Sequence, residues 1–403
     1  MLSLEESFKW KVDLLTNGCC LAPQITFPDS IGFKKIHLYA DSTDKPDQPI
    51  PDDCILPHHI ISRIRYRRKA LFILEHRDSG YQVRNQKTNE AIPIQLNTWP
   101  SLDKCRFSHI PLSSIAAFLG TDLLGITPSN YCFYFQQKKE CRFCEIFPLF
   151  KKEVAYPKAF KPIDAIEWAI QTAFTHLDSL RFIVMTTGNV RSYDWGVDAF
   201  IQMGKRLQKQ PIFQKVEQVL ATLMPPNDLS KLALLRQAGF TKICFPLEVF
   251  DPTHFQMVCP GKADYGYENI LKALEFAVKI FGRGNVYTNF VYGIQSLNPS
   301  LDPVSYDPEK ENSHALDAVK EMLGLSVLPG FTLYQYGGYN SIGPLTLNPN
   351  EVASFFLKWG ELVKDAHIIS QDEDSTIFSP FSLSNTLFND GYRLAIHKEK
   401  TCL

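Results

Sequence analysis

The residues best placed to do chemistry lie between Cys132 and Cys144, in the stretch CFYFQQKKECRFC. Eight residues separate Cys132 from Cys141, and two separate Cys141 from Cys144. A C-x2-C pair can turn two thiolates toward one metal or cluster, and a third cysteine one short loop away brings three thiolates around one point. Four thiolates saturate a structural zinc or a fully ligated iron–sulfur cluster. Three leave a coordination position open, which is what catalysis at a metal needs.

The cysteines need a framework that holds their loop. An apolar run, Leu123-Leu124-Gly125-Ile126, precedes them and ends in Thr127-Pro128-Ser129-Asn130, so they fall on a loop leaving a strand. Onward from residue 121, strand-like and helix-like segments alternate, the pattern of a parallel α/β sheet or barrel. Strands are expected at 121–127, 180–185, 216–224, 241–247, 286–292 and 328–334. Helices are expected at 163–176, 196–209, 229–237 (capped by Asp228 and stopped by Gly239), 267–281, 308–323 and 351–366. Six strand–helix units suit an α/β fold built on a partial (β/α)6 TIM-type barrel. In such barrels the polar residues at the C-terminal ends of strands face the site. Besides the cysteines, those ends carry Thr186-Thr187-Gly188, Glu248, Gly293 and Gln335, with Asn289 inside the fifth strand.

At these residues the chain resembles the radical S-adenosylmethionine (SAM) enzymes. Their signature is C-x3-C-x2-C on the loop after the first strand of a partial barrel, with an aromatic residue just before the last cysteine. Phe143 is that aromatic here, and the first spacing is eight instead of three. The segments LEVFDP, Cys259-Pro260-Gly261-Lys262 and GRGNVYTNFVYGI are similar to biotin-synthase-like and other small-molecule branches. The resemblance implies that Cys132, Cys141 and Cys144 hold three irons of a [4Fe–4S] cluster. The fourth iron would be chelated by the amine and carboxylate of SAM. Thr186, Thr187 and Gly188 stand where the family often has a Gly-Gly-Glu motif that holds the methionyl ammonium. Glu248 would accept hydrogen bonds from the ammonium or the ribose. Asn289 is a further candidate for the cofactor, and the stretch from Val291 through Gly293 to Ile294, with Leu333, would contact the adenine. Reductive cleavage of SAM would yield a 5′-deoxyadenosyl radical that removes hydrogen from a small-molecule substrate, with a ferredoxin or flavodoxin as electron donor. Radical modification of RNA or a peptide, and a zinc-binding barrel without catalysis, are the rival readings.

Each candidate also has a plainer reading. Thr-Thr-Gly is a common strand terminator, Glu248 could pair with a neighbouring loop, and Asn289 could be a hydrogen-bonded core residue. Cys259 reads as a loop thiol, and Gly337-Gly338 as a turn rather than a phosphate loop. No G-x-x-x-x-G-K-[ST] and no convincing G-x-G-x-x-G after a strand is present, so a nucleoside triphosphate or a Rossmann dinucleotide is not expected.

The 403 residues divide by pattern into an N-terminal α+β accessory region (1–118), the barrel (119–345) and a C-terminal helix and tail (346–403). The tail from 370 has no clear assignment, and the flanking regions are expected to cover the barrel mouth. In the N-terminal region, Asp44 to Pro57 is proline-rich, and a small antiparallel meander follows through Leu71–Leu74, Tyr81–Val83 and Ile92–Ile94. A short capped helix is expected at Pro111–Ile115, leading into the barrel. RIRYRRK holds five cations in seven residues and reads as the solvated face of an edge strand. Cys54, His58 and His59 have no second ligand cluster nearby and read as non-metal. Lys and Arg total 42 against 43 Asp and Glu, a net charge of −1, so nucleic acid and anionic membranes are not expected partners. The N-terminus is charged, without the apolar segment of a secretory signal, and no run approaches the roughly 20 apolar residues of a membrane span. Ten scattered cysteines then read as reduced thiols of a cytoplasmic protein.

Overall fold

In the computed structural model, residues 2–28, 48, 50–97, 99, 102, 104–146, 160–369 and 384–401 are described. Much of the proline-rich stretch from Asp44, residues 370–383 of the tail, and Cys402 lie outside them.

The site rests on one sheet of seven strands in chain order: β10 (Ala116–Leu119), β11 (Leu123–Ile126), β12 (Phe182–Thr186), β13 (Gln218–Thr222), β14 (Lys242–Cys244), β15 (Val286–Tyr292) and β16 (Leu328–Leu333). The last six run parallel, and β10 adds to β11 as an antiparallel edge. Parallel strands covered by helices carry near-continuous apolar runs. Phe182, Ile183, Val184 and Met185 are all buried. The sheet is the curled half-barrel expected of a (β/α)6 unit, with the cysteines on the loop after its first parallel strand.

The helices follow from apolar spacing and caps. Helices α3 (Ile163–His176) and α8 (Tyr267–Phe281) have the expected bounds. In α8 the residues Ile270, Ala273, Leu274, Ala277 and Phe281 recur at intervals of three and four and are the buried ones. Ser192 caps α4 (Tyr193–Leu207), Asp307 caps α9 (Pro308–Gly324) and Asn348 caps α10 (Pro349–Asp365); the last two carry proline in the first turn. Helix α5 (Lys231–Gln237) begins after Ser230, whose N–H and hydroxyl both donate to Asp228; Asp228 therefore secures the turn before the helix.

Strand β14 is shorter than its apolar run. It leaves the ladder after Cys244 because the Thr288 hydroxyl, not a backbone carbonyl, receives the Leu247 N–H. Four residues after Cys244, Glu248 sits at φ +69°, a left-handed conformation, and returns to β15 in a single bridge: its N–H donates to the Asn289 carbonyl and its carbonyl accepts from Val291. The turn expected at Pro111–Ile115 is a single 3-10 turn, Leu112–Ser114, and it feeds β10. A boundary at residue 118 or 119 therefore cuts a strand of the barrel sheet.

The N-terminal region begins with α1 (Leu4–Asn17), closed by a Ser3–Glu6 capping box. Its meander is β4 (Phe72–Arg77), β5 (Gly80–Asn85) and β6 (Ala91–Pro93), with β1 (Cys19–Leu21) added parallel to β4. RIRYRRK is not a solvated face. Arg63 and Arg65 are both buried; Arg63 lies 3.6 Å from Asp53, and Arg65 donates to the Leu15 carbonyl. Arg65 thus ties the last turn of α1 to the sheet, and Arg63 pairs with the residue opposite it on the neighbouring strand.

Helix α11 (Phe388–Thr401) runs along α10, and Lys11 of α1 reaches its buried Asp390 at 2.7 Å. The α10–α11 approach is too close for side chains at two points. A Cβ on Gly360 would stand 2.3 Å from the Gly391 carbonyl oxygen, and one on Gly391 2.4 Å from the Phe356 carbonyl oxygen. Backbone cannot give way as a side-chain tip can, so Gly360→Ala is expected to destabilise the fold by about 1–3 kcal/mol. A lowered thermal midpoint would show this, and an unchanged one would mean the two helices separate freely.

Candidate active site

Three segments knit the cysteine loop into the barrel. At the end of β12, Gly188 donates to the Ser129 carbonyl at 3.0 Å, and Phe133 donates to the Asn189 carbonyl at 2.7 Å. A Cβ on Gly188 would meet the Tyr131 carbonyl oxygen at 2.3 Å, so the backbone of Thr187-Gly188 lies directly on the Cys132 strand end. Beyond β14, helices α6 (Pro252–Val258) and α7 (Pro260–Ala263) supply the second contact. Arg142 donates to the Val258 carbonyl, and Gly261 donates to the Lys139 carbonyl. Beyond β16, Ser341 donates to the Arg142 carbonyl at 3.0 Å.

The third contact has a centre. One oxygen of Glu145, the residue after Cys144, accepts from the backbone N–H groups of Gly337, Tyr339 and Asn340 and from the Asn340 side chain at 2.6–3.4 Å. Burial raises the Glu145 carboxyl above its ordinary range, and these four donors oppose the rise. Gly337-Gly338 is thus a turn whose amides receive a carboxylate of the chain itself.

This framework brings the expected ligands together. Cys132, Cys141 and Cys144 are free thiols within electrostatic range of one another. Burial pushes Cys132 up to about 11 and Cys144 higher still. Phe143 packs on the core beside them. Two residues beyond β14 join the group. Cys259, fully buried, lies beside Cys141, which raises its thiol's pKa further than burial alone, so this loop thiol lies at the site. Lys262 donates to Glu248 Oε1 at 2.6 Å and to the Pro246 carbonyl at 2.7 Å. Burial alone would lower its pKa; the Glu248 carboxylate and the neighbouring thiols raise it instead.

The other sequence candidates are distributed along the strand ends. The Thr187 hydroxyl donates to the Gly188 carbonyl, and Thr186 is exposed at the last register position of β12. Asn289 donates its side-chain N–H to Thr332 across β15 and β16, the core hydrogen bond of its plainer reading. Gly293 donates to Glu311, and Leu333 pairs in register with Tyr292 and is nearly buried. Among the described residues, no hydrogen bond joins Thr186, Thr187, Asn289, Gly293 or Leu333 to Cys132, Cys141 or Cys144. Glu145, Lys262 and Lys161 carry no motif that sequence reading could use, although Glu145 directly follows the C-x2-C pair. Lys161, buried, donates to the Thr127 carbonyl and Asn130 Oδ1 at the start of the loop, and burial lowers its pKa to about 7.

Among the described residues, no three His, Cys, Asp or Glu side chains group closely enough to hold one metal ion. Three cysteine thiols carried on one loop are the donor type that an iron–sulfur cluster takes.

No family model matches the chain. It is similar to a bacteriochlorophyllide c C-7(1)-hydroxylase of Chlorobaculum limnaeum, 25% identical over 279 residues, which is 65% of this chain and 64% of that one. The chain therefore spans slightly less than two thirds of that relative's length. Among solved structures it is similar to the FeFe-hydrogenase maturase HydG from Carboxydothermus hydrogenoformans (14% identical, TM-score 0.42, covering 65% of this chain and 57% of that one). Another is a radical SAM methyltransferase from Sphaerobacter thermophilus (11%, TM-score 0.44, covering 73% and 75%). The methyltransferase is by its name a radical SAM enzyme, the class that the cysteine motif resembles.

Removing the Glu145 carboxylate strands four donors in a closed turn. Glu145→Ala is expected to cost about 1–3 kcal/mol, with Glu145→Gln, which keeps one carbonyl oxygen, between it and wild type. Thermal unfolding of the three proteins tests the order; equal midpoints for alanine and wild type would show that the turn stands without the carboxylate.

Glu311 holds the loop after β15 by accepting from Gly293 and Ser296, and burial raises its pKa from 4.5 to about 7. The folded state then binds more protons than the unfolded state between those values. The stability of wild type relative to Glu311→Gln should be greatest below pH 4.5 and fall by up to about 3 kcal/mol as pH rises through 7. Denaturant titrations at pH 4.5, 6 and 8 would measure it; a difference that grows with pH contradicts the assignment.

Proposed function

We propose that the chain is a radical SAM enzyme acting on a C–H bond of a small biosynthetic molecule. The observation that carries this reading is the trio Cys132, Cys141 and Cys144, gathered on the loop after the first parallel strand of a half-barrel. Those thiols would hold the [4Fe–4S] cluster. When bound, the cluster and SAM supply one-electron cleavage of the sulfonium C–S bond and, from it, hydrogen-atom abstraction.

The chain's own residues have narrower tasks. Gly188, without a Cβ, lets the backbone after β12 lie against the cysteine loop, with Thr186 and Thr187 beside it at the strand end. Glu248 and Lys262 form a buried pair beside the thiols; one Glu248 oxygen is committed to Lys262, and the other is available to a cofactor hydroxyl or ammonium. Asn289, Gly293 and Leu333 line the neighbouring strand ends, where an adenosyl group would need apolar walls and backbone partners. Electrons would come from a ferredoxin or flavodoxin. A reducing cytoplasm suits the free thiols. No helix among the described residues is long and apolar enough to cross a membrane.

The activity that the relative's name gives, hydroxylation at a carbon of a bacteriochlorophyllide, is compatible with chemistry that begins at a C–H bond. Anaerobic reconstitution with iron and sulfide, followed by dithionite and SAM, should give a brown protein that releases 5′-deoxyadenosine. Cys132→Ala, Cys141→Ala and Cys144→Ala should each lose both the iron and the product, whereas Cys259→Ala should keep them. Full iron retention in Cys132→Ala would remove it as a ligand. A colourless wild type with one zinc per chain would overturn the proposal.

A further inference from the structure

A cavity of about 840 Å³ opens directly beside Cys132. Four aromatic residues line it: Tyr131 and Phe133, which flank the cysteine in sequence, and Phe160 and Trp195. Phe160 meets Trp195 edge-on, with centroids 5.2 Å apart, and Trp195 is 51% exposed. An exposed indole at a cavity rim leaves apolar area uncovered, and such area marks a ligand or partner surface.

Only one charged residue lines the cavity, Arg191. It is exposed and has no hydrogen-bond or ion-pair partner among the described residues. Neighbouring cations differ in this respect: Arg181 is bidentate to Glu217, and Arg206 pairs with Asp164 and Glu167. The Tyr131 hydroxyl is satisfied within the wall by Gln136 at 2.7 Å, so it makes no demand of its own on a ligand. The volume lies in the range of small-molecule sites, about 300–1,000 Å³. Aromatic walls select a flat conjugated ring system, and an unpaired guanidinium selects a carboxylate, which it can bind through two parallel hydrogen bonds.

We propose that this cavity binds a flat, multi-ring conjugated carboxylate, stacked on Trp195 and met by the perpendicular Phe160 ring, with its carboxylate on Arg191, and that this is the substrate class of the chain. As a statement about substrate it rests on the radical SAM reading, whereas binding itself requires no cluster. Backbone continuity from Tyr131 through Phe133 places such a ligand next to the cysteine loop, and the Tyr131 carbonyl in turn lies against Gly188.

The test uses 1-pyrenebutyrate and its uncharged analogue 1-pyrenebutanol, followed by anisotropy with the full chain, with and without reconstituted cluster. The acid should bind wild type, and Arg191→Gln should weaken it by about tenfold, to the level of the alcohol. Trp195→Ala should weaken acid and alcohol alike. Equal binding of acid and alcohol to wild type, no effect of Arg191→Gln, or no binding at all overturns the proposal. Production of 5′-deoxyadenosine is scored in the same preparations. Cleavage without binding removes the cavity's role and leaves the radical reading standing; binding without cleavage removes the substrate claim and leaves the cavity as a ligand site.

Discussion

Glu145 makes the cysteine loop part of the barrel. A parallel half-barrel is open between its first and last strands, and nothing in the ladder ties the loop after β11 to the loop after β16. One carboxylate oxygen does so, gathering three backbone amides and one side-chain amide from Gly337–Asn340 immediately beyond Cys144. With the contacts at Gly188 and at Val258–Gly261, the loop is fixed at three points around the mouth. A ligand loop must be held this way, because thiols on a free loop would pay ordering entropy at every loading event.

That constraint explains several otherwise odd choices. Gly188 and Gly261 both sit where a Cβ would strike the loop: Gly188 against the Tyr131 carbonyl, and Gly261 against the Tyr134 ring and the Lys139 carbonyl. Lys161 spends a buried ammonium on the Thr127 carbonyl and on Asn130, which lie at the start of the same loop. Desolvation of that ammonium is unfavourable, and it is what lowers the lysine's pKa. Tyr134 and Tyr193 share a hydroxyl–hydroxyl hydrogen bond at 2.7 Å, joining the short helix α2 (Phe133–Gln137) to α4.

Much of this fold was legible because its signals are local. Apolar spacing placed α3, α8 and β15 at their observed bounds, since burial on one face sets both period and length. The short β14 was not legible: the Thr288 hydroxyl that ends it comes from another strand. The antiparallel β10 was hidden for a similar reason, its edge role being decided by pairing with β11 and not by its own four residues. The cations of RIRYRRK were misplaced because a charge run says nothing about partners; Asp53 and the Leu15 carbonyl are ten and fifty residues from Arg63 and Arg65. At the site, the cysteines announced themselves by spacing, and Thr187-Gly188 by position. Glu145 and Lys262 became visible only when distant segments were folded together.

The electrostatics around the thiols favour a cationic guest. Burial holds Cys132 and Cys144 in their protonated forms, so the apo site carries little net charge: Lys262 and Glu248 cancel each other across 2.6 Å. Deprotonating the thiols without compensation would place several negative charges in a largely buried volume, which is unfavourable by far more than a surface ion pair could offset. A bound metal would supply that compensation and release the protons as it binds. The same pairing keeps Lys262 from neutralising a thiolate directly, because its ammonium is already engaged by Glu248 and the Pro246 carbonyl. With its thiols protonated the site carries little net charge, and ionised sulfurs there would need a positive charge beside them.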